Sequence, residues 1–271
     1  MSYLSELHLS YNYSIFKNSK GIEIYDSHYH KILIPENSFS SSEDSIIVKW
    51  RILNNAGQFI STRSSLNDSE NQIISDASII NLQFFNKSGN SVTQIKPVLL
   101  YIPYNYNQNH KLFRTSNSVW YKTTLQTDIL EYSDWTTTIN ETVENQSGYK
   151  ISIMNEGTLC IGICNEFDTG FSGIKVELPD EFNVDNSIVQ ISVPDTNINI
   201  EMDWNSELKL FVLPENIIFP YNSMNITVLA EDTDNNPFFG MKYAVIDEEN
   251  PVFIDLDQVK IEEIKTILNS I

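Results

Sequence analysis

Cysteine and histidine are scarce in this chain of 271 residues, with two and four respectively, and Lys and Arg number 17 against 36 Asp and Glu. Each shortage excludes something. Cys160 and Cys164 lie four residues apart on one strand, which sets their Cα atoms roughly 13 Å apart. A disulfide needs less than about 7 Å, so the pair is read as small core residues. No histidine lies near them to complete a metal site. The formal net charge is −19. A surface of that sign repels phosphate backbones and anionic lipid, so neither nucleic acid nor membrane insertion is expected.

Long apolar runs are missing too. No stretch approaches the ~20 residues of a membrane span. The opening MSYLSELHLSYNYSIF has neither a basic n-region nor an apolar h-region, so it does not read as a secretory signal. Cytoplasmic residence, export by another route or a trimmed start all fit that opening, and an extracellular surface or an assembled particle is the expected place. There is no G-x-S-x-G, P-loop, dinucleotide-binding glycine pattern or H-E-x-x-H. No catalytic residue and no cofactor is expected, and the chain is read as non-enzymatic.

What is present favours strands. Apolar residues make up 41% and aromatics 11%, amid many Asn, Ser and Thr, a mixture suited to strands and polar turns. The stretch 149–178 holds three short apolar runs broken by turn residues. The middle one, Thr158 to Cys164, is apolar on both faces and predicts a central, buried strand. Strands are also expected at Gly21–Tyr25 and Lys31–Ile34 as a hairpin, and at Ser45–Leu53, Gln58–Thr62, Ser78–Phe85 and Val92–Ile102. Pro97 argues for an edge or a bulge. Further runs at Ser187–Val193, Ile198–Trp204, Leu208–Leu213, Met224–Leu229 and Phe238–Ile246 recur every 8 to 12 residues, as in a β-sandwich. The polar stretch Ser133–Ser147 reads as a linker. The expected architecture is all-β, with two antiparallel β-sandwich domains at 1–103 and 149–271, joined by a linker with short strands at 104–148. A C-terminal helix is capped by Asp257. Its stripe Ile261, Ile264, Leu268 and Ile271 is expected to cross an open end of the second sandwich.

Charge divides unevenly, −1 over residues 1–140 and −18 over 141–271. The acidic half is read as a docking face for a basic partner or for cations, or as solvation alone. Glu248 and Glu249 are interaction candidates on this ground. Asp232, Asp234 and Asn236 alternate like the start of a calcium loop. Pro237 and Tyr243 occupy the positions that need Gly and a bidentate acid, so they form at most a weak metal set and a hairpin tip is expected. His28 and His30 share a strand face with no acid cluster in view. Their convergence in a deep pocket would favour an enzyme. Tyr104, Tyr106, Trp120 and Trp135 are aromatic interaction candidates, suited to a glycan or a protein hot spot, or to packing.

Several phrases occur in a recognisable order: Ile34-Pro35-Glu36-Asn37-Ser38-Phe39, then LLYIPY before Trp120 and Trp135, then Cys160-Ile161-Gly162-Ile163-Cys164-Asn165-Glu166-Phe167, KVELP, FVLPENI and the closing helix. This order resembles two-domain β-sandwich surface or lipoprotein-like proteins of Bacteroidetes, with an IPANAF-like phrase in an ankyrin-like first sandwich and a GWINCDRF-like phrase in the second domain. A tryptophan and an Asp-Arg pair of that second phrase are absent here. The resemblance implies fold and carries over no catalytic residue. The function expected is a structural or interaction protein of a surface or extracellular assembly that engages other proteins. A carbohydrate-binding or adhesion module and a component of a phage or contractile injection particle are the alternatives.

Overall fold

The computed structural model describes Leu7 and residues 9–26, 28–40, 44–104, 109–116, 119–123, 128–139, 142–165, 167, 169–193 and 196–271. The fold is all-β, built of several antiparallel sheets. It forms two compact units, neither continuous in sequence: 10–52 with 79–161, and 1–9 with 53–78 and 162–271. The first holds 11 acidic and 11 basic residues, the second 25 and 6, so the second carries the whole net charge of −19. They are called the neutral and the acidic unit below.

The neutral unit is a sandwich. Its strands are β1 (Asn12–Lys17), β2 (Ile22–Tyr25), β3 (Lys31–Ile34), β4 (Phe39–Ser40), β5 (Ser45–Leu53), β6 (Ile73–Asn86), β7 (Thr93–Gln94), β8 (Val98–Pro103), β9 (Lys111–Ser116), β10 (Val119–Lys122), β11 (Ile129–Ile139), β12 (Thr142–Ile153) and β13 (Gly157–Asn165). One sheet runs β1-β5-β6-β13-β9-β10 and the facing one β11-β12-β8-β3-β2. Ile46, Val48 and Trp50 alternate inward from β5. With Leu82, Phe84 and Ile161 they meet Ile32, Leu100, Ile151 and Ile153 of the other sheet in one core. The boundary between units falls within β6 and within β13.

The acidic unit contains helix α1 (Ala56–Ser61), strands β14 (Lys175–Glu177), β15 (Ser187–Val193), β16 (Ile198–Glu201), β17 (Asp203–Asn205), β18 (Leu210–Val212), β19 (Ser223–Glu231), β20 (Pro237–Val245), β21 (Val252–Phe253) and β22 (Asp257–Gln258), and helix α2 (Ile261–Leu268). A sheet β17-β18-β14-β21 faces a sheet β16-β15-β19-β20-β22, and β14 pairs with β21 in parallel. Val176, Phe211, Val189, Ile191, Ile226 and Val228 pack between them. Every residue of β15 is buried, because the outer face of its sheet is covered as well. There Ile188, Leu229 and Phe239 pack against Ile60 of α1 and Ile264 and Leu268 of α2.

Several expectations need correction. Residues 104–148 are not a linker: they supply β9, β10, β11 and the start of β12. The division at 103 and 148 fails because β12 pairs with β8, which places Tyr149–Ile153 in the neutral unit. The three runs of 149–178 therefore do not share one domain, although the middle one is the buried, central β13. Gln58–Thr62 belongs to a helix, not a strand: Asn55 Oδ1 accepts the Gln58 N–H at 2.9 Å and caps α1. The cap of α2 is Lys260, while Asp257 lies in β22, and the apolar stripe covers the outer sheet face, not an open end. β8 is a central strand, and Pro97 precedes it.

Candidate functional site

The five-stranded sheet of the acidic unit treats its two sides differently. Beside β16 the chain seals the edge: Leu66 donates its backbone N–H to the Asn199 carbonyl at 2.7 Å, and Asn199 Nδ2 bonds the Ser64 carbonyl at 3.0 Å. Arg63 forms an ion pair with Glu201 on the same strand. At the other side β20 is sealed only at its start. The Pro237 carbonyl accepts from Val259 N–H at 3.1 Å, and Phe239 pairs with Asp257 in β22.

Beyond that point the edge is open. Ile246 N–H bonds the Asn222 carbonyl at 2.9 Å and Asp232 N–H the Asn236 carbonyl at 3.1 Å. The even-numbered residues of β20 thus bond to β19, and the odd-numbered ones direct N–H and C=O away from it. Met241, Tyr243 and Val245 pair with Thr227, Asn225 and Ser223 of β19 in register, and have no strand on their outer side among the described residues. These residues are 37, 62 and 68% exposed. A groove of about 450 Å³ adjoins Met241, lined also by Lys242, Phe253, Asp255, Val259 and Ile267 among others. Lys242 Nζ reaches the Phe253 carbonyl at 3.1 Å.

Acidic turns bracket this edge. At one end Asp232 Oδ1 accepts the N–H groups of Asp234 (2.9 Å) and Asn236 (2.8 Å), and its Oδ2 accepts Asn236 Nδ2 (2.8 Å). These bonds, Asn236's side chain first, hold the Asp232 carboxyl below its ordinary range. The set Asp232, Asp234 and Asn236 is therefore a self-capped hairpin tip. At the other end Glu248 Oε1 accepts the N–H groups of Ser172 (2.8 Å) and Gly173 (2.9 Å), which fastens the loop before β14. Glu249 is exposed.

The aromatic candidates are placed otherwise than expected. Trp120 and Trp135 are 5 and 9% exposed, and Trp135 lies 5.3 Å from the Tyr101 ring. Half-buried Tyr104 packs 4.5 Å from His110 and 5.3 Å from Tyr149. All are packing residues of the neutral unit, and none of these three offers an open face for a sugar ring. Tyr106 lies outside the described residues. Cys160 is buried in β13, as expected, and burial raises its thiol pKa. Cys164 is only half-buried, with its Sγ 2.8 Å from Gln72 Oε1.

A second constellation sits in the β2–β3 hairpin loop of the neutral unit. Asp26 Oδ1 accepts the N–H groups of His28 (2.8 Å) and His30 (3.0 Å), and His30 Nδ1 lies 2.7 Å from Asp26 Oδ2. Burial works against ionisation of Asp26, but the bond and charge of His30 with the two backbone donors outweigh it and lower the carboxyl. The acid that completes this group lay two residues before His28, in the alternation Asp26-x-His28-x-His30, and was the signal missed in the sequence. The three converge at a hairpin tip with His28 exposed, not in a deep pocket. Comparison with known protein families, with curated proteins and with solved structures gave no match to this chain.

Proposed function

We propose that this chain is a non-enzymatic interaction protein whose acidic unit receives an extended, basic segment of another protein as an added strand along β20. The observation that carries the reading is the open run Met241, Tyr243 and Val245, apolar and exposed, at one edge of a sheet whose other edge is sealed. An unpaired edge offers main-chain hydrogen bonds to an incoming strand, and side chains at alternate positions set its specificity. Natural proteins ordinarily blunt such edges. Charge selects the occupant. A unit carrying −19 repels a second copy of itself and attracts a basic chain. Such docking suits a component of a surface or extracellular assembly.

The test is affinity capture from the native source with the wild-type chain and with Tyr243→Pro. Tyr243 directs its N–H outward, so proline removes a donor that β19 does not use, and edge strands accept it. A basic protein captured by the wild type should be lost with the variant, whose melting stays cooperative. Capture should also weaken between ~0.05 and ~0.5 M salt, as the Debye length falls from above 10 Å to below 5 Å. Retention by a folded Tyr243→Pro chain, or indifference to salt, overturns the reading.

A further inference from the structure

We infer that Asp26, His28 and His30 form a binding site for a first-row divalent cation, zinc being the best fit. Each residue offers one ligand atom, and these atoms all lie within 4.8 Å of one another. Ligands of a tetrahedral zinc ion lie about 3.3–3.5 Å apart, given metal–ligand distances near 2.1 Å. The set closes if its widest pair draws in by about an ångström. The two imidazole rings stand 6.0 Å apart between centroids, near the about 5–6 Å that two rings sharing one ion require.

Backbone bonds and a left-handed residue shape the loop. Asp26 N–H bonds the His30 carbonyl at 3.2 Å and Tyr29 N–H the Asp26 carbonyl at 3.3 Å. Tyr29 adopts a left-handed backbone, φ 65°, a conformation that costs a non-glycine residue on the order of 1 kcal/mol. It turns the chain between the two histidines. A loop cap needs Asp26 Oδ1 alone. It accounts neither for the His30 ring held at Oδ2 nor for the second imidazole beside it. The donor set also names the ion. Two imidazoles and one carboxylate suit zinc, nickel or copper, whereas calcium takes six to eight oxygens. Exposed His28 leaves the fourth coordination position to water.

Isothermal titration of the full chain with zinc chloride should show one site. His28→Ala lies at an exposed position and should keep the fold by circular dichroism while weakening zinc at least tenfold. Asp26→Asn should do the same, and Asp232→Asn should leave the site unchanged. Cobalt(II) should give visible bands of tetrahedral intensity that vanish in His28→Ala, and calcium should not compete. Zinc affinity unchanged in folded His28→Ala, or no saturable binding below about 1 mM zinc, overturns the inference.

Discussion

A methyl group placed on Gly57 of α1 would lie 1.6 Å from the carbonyl oxygen of Leu268, the last residue of α2. The two helices therefore touch backbone to backbone over the outer face of the acidic unit's sheet. Two effects on Gly57→Ala oppose one another. Helix propensity favours alanine by about 1 kcal/mol. A forced overlap in a packed interface costs about 1–3 kcal/mol or more, and 1.6 Å is far inside any tolerable contact. Packing wins, and the variant should lower the denaturant midpoint of the acidic unit. A raised midpoint would show that α2 does not dock on α1.

The side chain of Asp128 is fully enclosed, and its carboxylate takes Arg114 Nε at 2.5 Å, Nη2 at 3.1 Å and Thr123 Oγ1 at 3.2 Å. Arg114 also donates to the Asn155 carbonyl at 3.2 Å. Asp128→Asn leaves this enclosed cluster short of a charge. Breaking a buried pair costs about 3–5 kcal/mol, and the lower end applies because Arg114 is itself 20% exposed. The pair Lys150–Glu131, 3.6 Å apart and open to solvent, is the internal comparison: Glu131→Gln should cost less than about 0.5 kcal/mol. Equal losses in equilibrium unfolding of the two variants would refute the ranking.

How much of this was legible depended on where each strand's second face went. The hairpin Ile22–Tyr25 with Lys31–Ile34 and the run Ser187–Val193 were read within a residue or so, because apolar alternation or continuity marks a covered face. Ile129–Ile139 and the start of the strand Thr142–Ile153 defeated that reading, although the run from Tyr149 onward was read as a strand. The two strands pair through eleven rungs, yet the inward residues of Ile129–Ile139 include Thr137 as well as Trp135, so no apolar stripe appears there. Asn54-Asn55-Ala56-Gly57 has the composition of a turn, because a helix cap and a turn use the same residues. The interleaving of the two units had no local signal at all: a strand's pattern records that it is covered and not by which partner. The same holds for the open edge of β20, where exposed Tyr243 and Val245 alternate as buried residues would.

Acid should unsettle the acidic unit through its turns. Glu248 is held below its ordinary pKa by the N–H groups of Gly173 and Ser172, Asp247 by the Asn250 side chain and the backbone of Glu249 and Asn250, and Asp232 by Asn236. A carboxyl whose folded pKa is depressed contributes stability above its unfolded value, near 4 for Asp and Glu. That contribution is lost as pH falls through the folded value. Asp203 works the other way, since burial and the charges of Glu201 and Glu215 raise its pKa. Protonating it relieves an unfavourable ion, and acid also relieves the repulsion of the unit's excess charge. Three depressed groups stand against one raised group. Repulsion between exposed charges is largely screened at ~0.15 M salt. Thermal stability of the acidic unit should therefore fall below about pH 4 in that salt. Glu248→Gln should begin lower at neutral pH and lose less on acidification, because glutamine has no proton to take up. A variant that parallels the wild type from pH 7 to pH 3 would show that the Glu248 bonds to Ser172 and Gly173 contribute nothing to acid sensitivity.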